Sequence, residues 1–146
     1  MGSSAKGKSW LNRIIVCDTG PLIHLTEAGS IDLIKMAGSV FIPQIVADEF
    51  ANNSISTILS DWLMVTTLDV ENQKVVKKWV NEIEPGEAYS IALAIQIKAD
   101  WLLSDDAKAR KFAENLGLEV HGSIGLLLWA AANRYVTSKK KNFDVT

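Results

Sequence analysis

The sequence predicts an α/β domain built on a mainly parallel sheet. Apolar runs of strand length alternate with segments of helical periodicity, the order in which parallel strands take turns with crossover helices. The first run, RIIVC at residues 13–17, is continuously apolar and β-branched, as a strand covered on both faces must be. Prolines at helix starts and glycines at helix ends punctuate the segments between them.

The elements follow in order. After the strand at residues 13–17, Asp18 or Thr19 caps a helix with Pro21 in its first turn and Leu22, Ile23 and Leu25 as its apolar surface. A short helix over residues 31–37 ends at Gly38, residues 40–42 form a short strand, and Pro43 opens a helix running to about Asn52. Residues 53–61 read as a loop or a helical turn. Residues 63–68 resemble a strand and residues 72–83 a surface helix, and Glu84-Pro85-Gly86 breaks the chain before a long helix over residues 87–98. Residues 101–103 are the next strand, residues 107–115 a helix stopped by Gly117, residues 118–120 a short strand, and residues 124–135 a strongly apolar last helix.

With 146 residues and 48% hydrophobic content, one domain over residues 10–137 can build a full core without disulfides. Residues 1–9 read as an unstructured or vector-derived leader, and residues 138–146 as a basic polar tail. The single cysteine, Cys17, has no intrachain partner and lies in an apolar run, which fits a reducing, cytoplasmic setting. No apolar stretch approaches the ~20 residues needed to span a bilayer. The net charge of −2 disfavours a surface that holds nucleic acid by neutralising phosphates, so any such contact is local or bridged by metal. Lys108, Arg110 and Lys111, and the tail residues Lys139, Lys140 and Lys141, are the basic groups; a solvated face and a soluble tail also account for them.

The chemistry lies in the acidic residues. Asp18 directly follows one buried strand and Asp105-Asp106 another, at the sheet edge where open α/β folds bind ligands. Helix capping explains either position taken singly. Glu49 points into the apolar stripe formed by Ile42, Ile45, Val46 and Phe50, where a carboxylate costs several kcal/mol unless a salt bridge or a cation compensates it. Glu87 opens a helix apolar on nearly every side, which the helix dipole alone also favours. Carboxylates gathered at one edge repel one another unless hard cations neutralise them, and oxygen ligands without a Cys or His cluster select Mg²⁺ or Mn²⁺. His24 and His121 have no metal-ligand partner at useful spacing and read as structural.

Four segments resemble the motifs of the PIN domain family, particularly its toxin-like ribonucleases encoded beside antitoxins (the VapC-like group). They are Asp18–Ile23 (DTGPLI), Pro43–Glu49 (PQIVADE), Gly86–Ala94 (GEAYSIALA) and Leu102–Arg110 (LLSDDAKAR), within residues 14–135. A fifth, His121–Leu127 (HGSIGLL), is similar to a C-terminal segment of one subgroup. The resemblance implies a three-layer α/β/α fold and a metal-dependent endoribonuclease that hydrolyses RNA phosphodiester bonds to 5′-phosphate and 3′-hydroxyl ends. Asp18, Glu49, Glu87 and Asp106 are then the catalytic acids, and these four with Asp105 the metal ligands. The fourth motif places its acid two residues after a hydroxyl residue, which selects Asp106 ahead of Asp105. Thr19, Ser104, Lys108 and Arg110 are the expected substrate contacts; Ser104 as a cap and Arg110 paired with a site carboxylate are the alternatives.

The resemblance also implies an RNA substrate, a cognate antitoxin and a homodimer, for which Trp129 and its neighbours Leu126, Leu127 and Leu128 supply more apolar surface than one helix face needs. A non-catalytic PIN-like module binding RNA or protein through the same edge is the alternative. A phosphoacceptor receiver domain is disfavoured because its acceptor Asp and later Lys cannot be placed. A phosphatase with two Asp separated by one residue is disfavoured because Gly20 stands two beyond Asp18.

Overall fold

The computed structural model describes residues 13–53 and 59–133. The expected leader, the basic tail with Lys139–Lys141, and Tyr135 lie outside the described residues.

The first strand, β1 (Ile14–Cys17), is buried over its last three residues, as its unbroken apolar run requires. Then follow α1 (Thr19–Glu27), α2 (Asp32–Ala37), β2 (Ser39–Pro43), α3 (Gln44–Asn53), β3 (Leu63–Thr66), α4 (Val70–Lys78), α5 (Pro85–Gln96), β4 (Trp101–Leu103), α6 (Ala107–Asn115), β5 (Val120–His121) and α7 (Ser123–Ala132). All five strands pair in parallel in the order β3-β2-β1-β4-β5. Strand residues alternate between two cores. Ile15, Cys17 and Leu103 pack with Leu22, Ile34, Phe50 and Leu126 from α1, α2, α3 and α7. Val16 and Leu102 pack with Val76, Ile91, Leu93 and Ala113 from α4, α5 and α6. The result is the expected three-layer α/β/α arrangement, its sheet wholly rather than mainly parallel.

Several boundaries move, each for a local reason. The helix expected from residue 72 begins at Val70 because the Asp69 carboxylate caps it, accepting from the Asn72 N–H at 2.8 Å. The expected break at residues 84–86 is the first turn of α5. Glu84 is its N-cap, Pro85 occupies a position that needs no N–H, and the Glu87 side chain accepts from the Glu84 N–H. Pro43 closes β2 instead of opening α3, and the last strand is Val120–His121 rather than residues 118–120. On α7, Leu126 enters the core and Trp129 stacks edge-on against Trp101, so Ile124 and Leu128 are its exposed apolar residues. Among the described residues no helix is long and apolar enough to cross a membrane.

The order of strands fixes where a ligand can sit. The chain runs outward from β1 through β2 to β3, then returns to pair β4 against the other side of β1. The crossovers after β1 and β4 leave in opposite directions, and the crevice between them is the binding place of doubly wound sheets.

Candidate active site

Asp18 and Asp106 follow the two strands that flank this crevice. β1 and β4 pair Cys17 with Leu103, and the Asp18 N–H donates to the Leu103 carbonyl at 2.9 Å, which holds the ends level. Asp18 is 7% exposed and caps α1, its Oδ1 accepting from the Thr19 N–H at 2.8 Å. The Ser90 hydroxyl reaches the same oxygen at 3.3 Å and the Gly86 carbonyl at 2.9 Å; with one proton to give, it serves Asp18 more weakly. Burial pushes the Asp18 carboxyl up to about 6, against the Thr19 N–H, and the negative charges of Glu49 and Asp106 push the same way.

Glu49, half-buried on α3, accepts from the Thr19 hydroxyl at 2.6 Å. Thr19 is therefore the tether of Glu49, and Asp18 alone is the cap. The Glu49 carboxylate rests against Gly86: a Cβ there would stand 2.6 Å from Oε1 and 3.1 Å from Oε2. Only glycine leaves that space at the start of α5. Glu87, one residue on, is pushed up to about 7, by burial first and then by the charge of Asp106, with Asp18 adding to it. Asp106 caps α6, accepting from the Ala109 N–H at 2.8 Å. It shares a cavity of about 260 Å³ with Glu84, Glu87 and Lys108.

Acids from β1, α3, α5 and the start of α6 thus feel one another's charge at one edge of the sheet. Among the described residues, no three His, Cys, Asp or Glu side chains converge closely enough to form a ready inner shell for an ion. The donor set nevertheless fits a hard dication held partly through water, since Mg²⁺ keeps several waters and needs only one or two carboxylates. Ser104 adds to the fit. It directly follows β4, is 2% exposed, and its hydroxyl is buried without a partner among the described residues. Such a group is costly unless a ligand or water satisfies it.

Adjacent acids Asp105 and Asp106 separate. Asp105 accepts from the Ser123 N–H at 2.6 Å and the Ser123 hydroxyl at 2.5 Å, and its Oδ2 lies 2.6 Å from His24 Nδ1. Burial works to raise its pKa, but these donors prevail and hold it below the ordinary carboxylate value. Asp105 therefore ties the β4–α6 turn to α1 and α7, with its oxygens committed to that frame. The expected substrate contacts divide as well: Lys108 lies by Glu87 and Asp106, whereas Arg110 lines a second cavity with Asp105 and His121. Both histidines are held by carboxylates, His24 by Asp105 and His121 by Glu119 at 2.7 Å.

Two residues escaped the sequence reading. Ser90 is a buried hydroxyl within an otherwise apolar helix, three positions after Glu87, and that incongruity was its signal. Gly86 had none, because a glycine beside a proline reads as a break.

A family model described as "DUF3368: PIN domain" matches residues 14–145. No curated protein matches the chain.

Proposed function

The chain belongs to the PIN domain family, whose members are usually nucleases working with divalent metal ions, and on that premise we propose that it is a Mg²⁺- or Mn²⁺-dependent endoribonuclease of the VapC-like toxin kind. The observation that carries this reading is the electrostatic frustration of the four acids. Two of them, Asp18 and Glu87, are held at about 6 and about 7 by burial and by their acidic neighbours. Such a cluster lowers stability when ionised, so a fold that retains it gains by binding positive charge there.

Asp18, at the crevice, would be the central ligand, with Glu87 and Asp106 near enough to exchange charge effects with it and Glu49 held in place by Thr19 and Gly86. A bound divalent ion supplies Lewis acidity to a water and to the phosphoryl oxygens. The remaining work belongs to side chains. Tethered Glu49 orients water, and Glu87, raised to about 7, accepts a proton near neutral pH. Lys108 presents a positive charge to the phosphate chain beside Asp106, and the Ser104 hydroxyl donates to a phosphate oxygen or its water. Unpaired RNA is the substrate that suits an open crevice, because its backbone is accessible and flexible.

Purified protein incubated with labelled single-stranded RNA should cleave it in Mg²⁺ or Mn²⁺ and not in EDTA. Asp18→Asn, which keeps the cap on α1, should abolish cleavage with the fold intact. Cleavage retained by that variant, or by wild type in EDTA, would sink the mechanism. A small antitoxin encoded beside the gene, and its inhibition of this cleavage, tests the toxin assignment.

A further inference from the structure

The second cavity, about 600 Å³, is lined by His24, Asp105, Arg110, His121, Ile124 and Gly125 among others. It lies on the other side of the Asp105-Asp106 turn from the acids, and Gly20, two residues past Asp18, abuts the Asp105 side chain. Three features of its lining go unused by the fold. Arg110 is half-buried, yet its guanidinium makes no hydrogen bond or ion pair among the described residues. Both histidines of the chain meet here, each held by a carboxylate through one ring nitrogen, with no partner for the other among the described residues. Gly122 is bare where a Cβ would stand 3.2 Å from Arg110 Nη1 and 2.8 Å from Asp105 Oδ1, so the wall beside the guanidinium stays open. The cavity's carboxylate, Asp105, faces these groups with its oxygens already engaged by Ser123 and His24, and Glu119, outside the lining, is engaged by His121.

We propose that this cavity holds the ribonucleotide next to the scissile phosphate, with Arg110 taking its phosphate and the free imidazole nitrogens its 2′-hydroxyl. The proposal rests on the endoribonuclease reading and names the subsite that reading lacks. An unpaired guanidinium is a planar fork matched to two phosphate oxygens. A 2′-hydroxyl both donates and accepts, so it can bond an imidazole nitrogen in either protonation state, and it is the group that separates RNA from DNA. His121 packs on the Trp101 ring, which leaves the exposed His24 ring and Ile124 to offer the base an apolar surface. The cavity volume is that of a small-ligand site.

The test reads binding without cleavage. Asp18→Asn protein in EDTA is titrated into a fluorescein-labelled single-stranded RNA of about ten nucleotides and into the DNA of the same sequence, followed by anisotropy at several salt concentrations. RNA should bind several-fold more tightly than DNA. Adding Arg110→Ala should weaken RNA binding about ten-fold and reduce the slope of log affinity against log salt by about 0.7. Exposed His24 changed to Asn should erase part of the RNA preference while leaving DNA affinity in place. Should Arg110→Ala lose its cooperative melt, Arg110→Lys keeps the charge and removes the fork, so affinity falls with the slope unchanged. Unaltered RNA affinity and slope in the arginine variants, with no change of RNA preference in His24→Asn, would overturn the proposal. Arginine-dependent binding of an acidic peptide with RNA affinity unaffected would also overturn it, assigning the cavity to a protein partner. Since neither metal nor cleavage enters, a wild-type protein that fails to cut RNA refutes the nuclease reading separately.

Discussion

Gly86→Ala separates the stability of the fold from the geometry of the site. The new Cβ would lie 2.6 Å from Glu49 Oε1, and opening that gap to an ordinary contact of at least 3.4 Å displaces the oxygen by about 1 Å. The displaced atom ends a flexible side chain, so the backbone need not yield. In stability the change has two opposing parts. Alanine is better than glycine inside a helix by about 1 kcal/mol, while loss of the 2.6 Å bond from Thr19 to a carboxylate costs about 1.5–3 kcal/mol. The net cost is about 0.5–2 kcal/mol, a shift of a few degrees in Tm. Activity should suffer far more, since a misplacement of about 1 Å at a reacting centre costs on the order of 100-fold. Single-turnover cleavage of labelled RNA in Mn²⁺, with calorimetric melting on the same samples, measures both. If Gly86 acts through Glu49, the double variant with Glu49→Gln should be no slower than the slower single variant. A Gly86→Ala protein that cuts at the wild-type rate would refute the reasoning, whatever its Tm.

Three further outcomes follow from the same geometry. Asp18 and Glu87 bind protons more tightly folded than unfolded, so in EDTA stability that is present below about pH 4 is lost as pH rises through about 6 and 7. Urea unfolding should therefore show Asp18→Asn gaining about 2 kcal/mol on wild type between pH 4.5 and 7.5, with Mn²⁺ closing the gap only at the higher pH; a constant difference would exclude the shifted carboxyl. Asp105→Ala should lose about 2–3 kcal/mol by stripping three donors of their acceptor, whereas Asp106→Asn, whose amide still caps α6, should stay within about 0.5 kcal/mol of wild type and cut about 100-fold more slowly. The opposite ranking in melting and cleavage assays would reverse the assignment of the two acids. Ser104→Ala removes a buried hydroxyl with no partner among the described residues, so denaturation should show stability unchanged or raised by up to about 1 kcal/mol while cleavage falls several-fold; a clear loss of stability would reveal a bond the fold depends on.

The fold was legible because it rests on features that act locally. The unbroken, β-branched apolar run at Ile14–Cys17 reads as a strand covered on both faces, and Asp18 and Asp106 cap the helices that directly follow them, whereas the caps Asp69 and Glu84 went unread. Asp18 and Asp106 were legible as strand-end acids, and Glu49 as a charge in an apolar stripe. What stayed hidden depends on residues far apart in sequence. Nothing near Gly86 announces that Glu49, 37 positions earlier, leans on its missing side chain. Nothing near His24 foretells Asp105, so both histidines read as structural with no partner named for either. The start of α5 was misplaced for a related reason: proline and glycine signal a break or a first turn alike, and only the Glu84–Glu87 capping box distinguishes them.

Asp105 and Asp106 show how one turn answers two opposed demands. A site for cations must keep carboxylates underbonded, because an oxygen already holding strong donors has less to offer a metal or its waters. A loop that carries such a carboxylate must also be rigid, or the acid is lost to solvent. The chain divides the work between adjacent residues: Asp105 takes three donors from Ser123 and His24 and fixes the turn, which leaves Asp106 one backbone donor and a face toward Glu87. The same division places Arg110 and the two imidazoles behind the turn, on the side Asp105 braces. A frame built this way joins the two cavities mechanically, so that a nucleotide bound as proposed against Arg110 would sit at a fixed distance from the acids beyond the turn.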